Sequence, residues 1–169
     1  MSIAFLLVRL ILGLAIAAHG AQKLFGWFGG YGLAGTGGFF EQLGFRPGKL
    51  FALMAGLAEA GSGLLIVLGL GGAIGPALLV MVMLVAIATV HLPKGFFVTN
   101  GGWELNAVYI AGALGLAFGG FGRYSLDRAL GAGAVHTTLF GAEAMAVAVV
   151  LAGLNLLARR PTGSPSPTP

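Results

Sequence analysis

Five apolar runs, each close to the thickness of a bilayer, constrain this chain more than any other feature. They cover about residues 2–24, 49–70, 73–92, 103–119 and 134–158. At 1.5 Å per residue, a helix of about 20 residues crosses a hydrocarbon core of about 30 Å. Lipid offers backbone N–H and C=O groups no partners, so each run has to satisfy its own as a helix. Composition agrees. The chain is 57% hydrophobic and 8% charged, whereas a soluble domain carries about 25% charged residues. The expected fold is an all-α membrane protein. Residues 1–130 form an antiparallel four-helix transmembrane bundle, 134–158 add a fifth C-terminal transmembrane helix, and 159–169 form a disordered Pro/Ser/Thr tail.

Residues 2–24 are read as a membrane helix rather than a signal peptide. Arg9 interrupts the apolar run, and the run is too long for an h-region. The 31 glycines show no collagen-like period and fit close helix packing in lipid. No cysteine is present, which removes thiol catalysis, disulfides, iron–sulfur ligation and thiolate zinc sites together. The net charge of +4 is scattered over helix ends and loops, and so reads as a topology signal and not as a nucleic-acid surface.

The connections follow from their residue types. Between Phe25 and Pro47 the chain is rich in glycine and aromatics, which suits a short interfacial helix. Gly69 to Gly72 is a tight link that makes helices two and three antiparallel neighbours. Pro76 falls in a first helical turn, where its missing N–H does little harm, and Pro93 closes the third helix after His91. Ala111, Gly115 and Gly119 give the fourth helix a smooth face for a close partner. The face holding loop one, loop three and the C-terminus carries Lys23, Arg46, Lys49, Lys94, Arg159 and Arg160. The other carries Arg123, Arg128 and Arg9. The positive-inside rule makes the first-loop face and the C-terminus cytoplasmic.

Titratable residues inside apolar runs are costly unless paired or used. His19, Lys23, His91 and Glu104 all fall at the first-loop end, and Arg9, His19 and Lys23 lie within about 80 degrees on the first helix. If helices one and two have level ends, Arg9 and Glu59 differ in height by about 6 Å, which predicts a buried Arg9–Glu59 ion pair. The four residues at the first-loop end form the candidate polar site, set against simple snorkelling, capping and carbonyl-bonded histidines. Phe25, Trp27 and Phe28, with Phe39 and Phe40, read as an interface belt or as the lining of an apolar ligand pocket. His136 and Glu143 are seven apart and share a face if one helix carries both. No metal site is expected, and no catalytic residue can be assigned.

Arg9, His19-Gly20 with Lys23, Glu59 with the glycines to Gly69, His91, Trp103-Glu104 and Gly122-Arg-Tyr-Ser-Leu-Asp127 together resemble the DoxX family over about residues 3–128. The resemblance implies a small bacterial or archaeal four-helix protein of the plasma membrane. Its relatives include the DoxD-type subunit of thiosulfate:quinone oxidoreductase and a mycobacterial protein linked to a membrane oxidoreductase complex with superoxide dismutase and a sulfurtransferase. The fifth run and the tail depart from that pattern. Two functional readings follow. One is the membrane subunit of a quinone-linked, sulfur or oxidative-stress redox system, with oxidoreductase partner subunits or a second copy of the chain beside it in the bilayer. The other is a solute or lipid transporter, or a scaffold that recruits soluble enzymes. Quinone is the expected cofactor. No cofactor is held covalently, and haem between His19 and His91 is the least favoured option.

Overall fold

The structure is a computed structural model that describes residues 2–160, so beyond Arg160 the expected disordered tail lies outside the described residues. Among the described residues every regular element is a helix. Four of them, α1 (Ser2–Phe25), α3 (Gly48–Leu68), Ile74–Lys94 and α7 (Thr138–Leu157), are long and apolar enough to cross a membrane. α5 (Glu104–Gly119) is apolar and shorter. Ile74–Lys94 starts as the α-helix α4 (Ile74–Ala86), widens to a π-helix over Ile87–His91 and tightens to a 3₁₀ turn over Leu92–Lys94. Two short helices complete the order: α2 (Gly32–Gln42) in the first loop and α6 (Leu126–Ala129) after α5.

The most extensive helix contact is between α1 and α3, and small residues make it so. A Cβ on Gly20 would lie 2.5 Å from the Ala60 amide nitrogen, and one on Gly63 would lie 2.5 Å from the Gly13 carbonyl oxygen. These two backbones therefore touch. Dispersion between closely spaced helices is the main attraction open to them in lipid. α3 packs on α4, α4 on α5, and α5 returns to α1, which closes a four-helix ring around Leu12, Ile16, Ile66, Leu79, Leu116 and Phe121.

α7 lies on α4, burying Gly141, Ala148 and Ala152. Its last residues reach the end of α2: the Arg160 amide donates to the Gly44 carbonyl at 2.8 Å and Arg159 Nε to that of Leu43 at 2.9 Å. The first-loop face thus holds α2, the α4–α5 loop and the C-terminal end of α7. The opposite face holds the Gly69–Gly72 turn, α6 and the start of α7.

Two expectations about elements change. The fifth run is not one helix from residue 134. Gly133–His136 is a 3₁₀ turn, and α7 starts at Thr138, where the Thr137 hydroxyl caps it by accepting from the Phe140 amide at 3.1 Å. His136 and Glu143 therefore do not share a helix, and Glu143 is exposed. The Ala111, Gly115, Gly119 stripe is also exposed in the chain, because α5 turns Ala113, Leu116 and Ala117 inward instead.

Candidate functional site

The α1–α3 register decides which charges meet. Gly20 lies against Ala60, whereas level helix ends would set it beside Ala52, so α3 is displaced by eight residues, or about 12 Å. The reason is α2, which packs on α3 and fills the space beyond the end of α1. The displacement carries Glu59 up to Lys23 and Arg9 down to the end of α3.

Both Glu59 carboxylate oxygens accept from Lys23 Nζ, at 2.7 and 2.6 Å. Glu59 is buried at 3% exposure, while the Lys23 side chain keeps 24%. An ammonium carries three protons, so this pairing leaves one donor for whatever lies on the open side. That side is a groove of about 670 Å³ between the end of α1 and α2, lined by Gln22, Lys23, Tyr31, Thr36, Phe39 and Phe40 with glycines between them. It combines apolar rings with a charge-assisted donor, the composition of small-molecule sites.

The opposite face holds a second cluster. Arg9, 1% exposed, spends its guanidinium on four carbonyls: Ile66 at 2.9 Å, Phe121 at 3.1 Å, Tyr124 at 2.8 Å and Val67 at 2.6 Å. The Ile66 and Val67 carbonyls belong to the last turn of α3, where a helix carries partial negative charge, and the Ile66 oxygen also accepts from the Gly69 amide at 3.1 Å. Asp127 does the converse for the following turn. Its carboxylate accepts from the Gly71 amide at 2.9 Å and the Gly72 amide at 2.7 Å, and His136 Nε2 sits 3.1 Å away.

Comparison with known proteins now adds the family. A DoxX family model matches residues 4–92, more than half of the chain. The chain belongs to the DoxX family. An uncharacterized membrane protein of Mycobacterium tuberculosis is 31% identical over 133 residues, covering 73% of this chain and 78% of the relative. No solved structure matches. In this DoxX protein the match spans α1 to the end of the third membrane span, and so includes Lys23, Glu59, Arg9 and α2. Asp127 and His136 lie beyond it.

The expected Arg9–Glu59 ion pair is not formed. Glu59 pairs with Lys23, and Arg9 is held by carbonyls, because the eight-residue displacement separates the two in depth. His19, Lys23, His91 and Glu104 share one end of the bundle, but each bonds elsewhere. His19 Nδ1 lies 3.1 Å from Gln22 Oε1. His91 Nδ1 donates to the Gly101 carbonyl at 2.7 Å. The Glu104 carboxylate accepts from the Val98 amide at 2.9 Å. His91 and Glu104 thereby close the α4–α5 loop, and Lys23 alone of the four lines the groove.

Trp27 packs against Phe25 at a tilt and meets Phe28 edge-on, and the three stay 58–71% exposed. The groove takes its rings from Tyr31, Phe39 and Phe40. Sequence reasoning missed Asp127 as a buried anchor. A usable signal was there: Ser125 is an N-cap accepting from the Arg128 amide at 3.2 Å, which puts Asp127 in a first helical turn facing the glycine link.

Proposed function

We propose that this DoxX protein is the membrane subunit of a redox system and that the first-loop groove receives a lipid-soluble carrier of the quinone class. The observation behind this reading is the Lys23–Glu59 pair beside the rings of Tyr31, Phe39 and Phe40. The flat, apolar body of a quinone suits aromatic walls, and its carbonyl oxygen suits a single charged donor. When bound, a quinone carries electrons together with protons. Lys23 Nζ donates a hydrogen bond to the ring oxygen, while Glu59 fixes Lys23 at the edge of the groove. α2 and the rings of Phe39 and Phe40 exclude water on one side.

The chain has no cysteine for an iron–sulfur cluster, so the electrons come from partner subunits. In this reading the first-loop face, with six of the nine Lys and Arg residues, is cytoplasmic and is where such partners dock.

Quenching of Trp27 fluorescence by a short-chain ubiquinone tests it, with Trp103→Phe removing the second tryptophan. In nanodiscs the quenching should saturate, and Tyr31→Ala or Phe39→Ala should weaken binding by about fivefold. Linear, unsaturable quenching that is equal in all variants would reject the quinone reading and favour a solute path or a scaffold.

A further inference from the structure

We propose that the opposite membrane face carries a separate binding site for a phosphate-class oxyanion. It lies in the cavity between the end of α5 and the start of α7. This cavity holds about 750 Å³ and is lined by Arg123, Arg128 and His136, with Gly120, Gly131 and Gly133 among its walls. It is hollow because much of its wall has no side chain, and its size falls within the range of small-molecule sites.

Charge decides the class of ligand. Arg9, Arg123 and Arg128 are all of the arginines and lysines toward this end of the bundle; Arg9 is buried and engaged, and Arg123 and Arg128 both line the cavity. The acid beside them, Asp127, is already committed. Its two oxygens take the Gly71 and Gly72 amides with His136 Nε2 3.1 Å away, and its own amide donates to the carbonyl of Gly69, the residue against which the Arg9 guanidinium is packed. Arg123 and Arg128 are exposed, and among the described residues neither side chain is engaged in a hydrogen bond or ion pair. The cavity therefore has two uncommitted guanidinium groups and no uncommitted carboxylate. Guanidinium forks match the oxygen edges of phosphate, which can accept from both at once.

His136 adds direction. His136 Nε2 lies 3.1 Å from an Asp127 carboxylate oxygen, which leaves Nδ1 as the ring nitrogen turned away from the acid. Nδ1 lies on the Gly120 side, 3.8 Å from where a Cβ on that residue would be, and Gly120 is itself part of the cavity wall. Phe121 holds the ring edge-on, with centroids 5.8 Å apart at 82°. Nδ1 can accept from a protonated phosphate oxygen or, in the imidazolium, donate to an ionised one. The cavity is larger than a bare phosphate needs and lies at the ends of the apolar helices α5 and α7, which suits a phosphate bearing an organic group. The same chemistry is offered by an anionic phospholipid headgroup and by free phosphate or a soluble monoester.

Native mass spectrometry of the full chain, released from nanodiscs with and without phosphatidylglycerol, tests the site, together with titration by inorganic phosphate in a neutral detergent. The wild-type chain should retain phosphatidylglycerol, bind phosphate, or both. Arg123→Ala/Arg128→Ala should weaken the binding by about tenfold or more, while Arg46→Ala on the other face leaves it unchanged. Lipid retained against millimolar phosphate identifies a headgroup, and phosphate binding without lipid retention identifies a soluble ligand. A second variant, His136→Ala, leaves both arginines in place and should weaken binding less than the double arginine variant. Absence of binding by either probe, or binding equal in wild type and the double arginine variant at unchanged melting temperature, overturns the proposal.

Discussion

Lys23 and Arg9 lie fourteen residues apart on one helix and solve the problem of a buried cation in different ways. Lys23 is neutralised by a carboxylate, whereas Arg9 is solvated by the carbonyls of two other segments. Removing one partner of a buried pair leaves an uncompensated charge and costs about 3–5 kcal/mol, while removing both is far milder. Lys23→Met should therefore lower the melting temperature in detergent sharply, and adding Glu59→Met should recover most of the loss. Arg9→Met with Glu59→Met should instead show additive losses within about 0.5 kcal/mol, since the two residues share no partner. Strong coupling between Arg9 and Glu59 in that double-mutant cycle would restore the pairing expected from level helix ends. Arg9→Lys should not substitute for the native residue, because an ammonium has three donors at one point and cannot reach four carbonyls spread over α3 and the α5–α6 link.

Among the elements, α1 and α3 set the geometry for everything else. Their contact runs backbone to backbone at Gly13, Gly20 and Gly63, so side chains added there have nowhere to go. Gly20→Val should push the helices apart, lower the melting temperature and loosen the Lys23–Glu59 pair. Gly61, on α3, has nothing within 4 Å of its would-be Cβ, and Gly61→Val should be close to neutral. Similar losses for both would mean that intrinsic helix propensity dominates over packing here. The π-helical turn at Ile87–His91 is another element-scale feature. It shifts the end of the third span so that His91 reaches Gly101, and the Thr89 hydroxyl donates to the Val85 carbonyl at 2.8 Å within the same stretch. Insertions of this kind recur at functional sites, and in this chain the turn shapes the loop beside the first-loop end.

At the scale of the molecule, α7 is integrated into the bundle although it lies beyond the family match. It packs along α4 and ties its end to α2 through Gly44 and Leu43. Three apolar helices, α3, Ile74–Lys94 and α5, separate α2 from the α5–α7 link, so the two lie at opposite ends of the bundle. The chain has no cysteine, so single introduced cysteines report cleanly on that arrangement. Gly38→Cys and Gly133→Cys both enter open space. An impermeant maleimide should label them from opposite sides of intact membrane vesicles. Labelling of both from one side would mean that one of the five apolar helices does not cross.

The helical state of the apolar runs and most of their ends were legible in the sequence because each depends on local physics. Hydrocarbon thickness sets run length, unsatisfied backbone dictates helix, and glycine and proline mark the ends. Gathering His19, Lys23, His91 and Glu104 at one end also followed from counting spans. Which charges meet did not follow, because pairing depends on the relative height of two helices. That height was decided by α2 lodging beside α3 and by glycine surfaces that lock only in one register. Nor could composition reveal that Asp127 would cap the Gly71–Gly72 turn or that Arg9 would take up the carbonyls of two separate segments. Such contacts bridge more than fifty residues of chain, and only the folded bundle brings them within hydrogen-bonding distance.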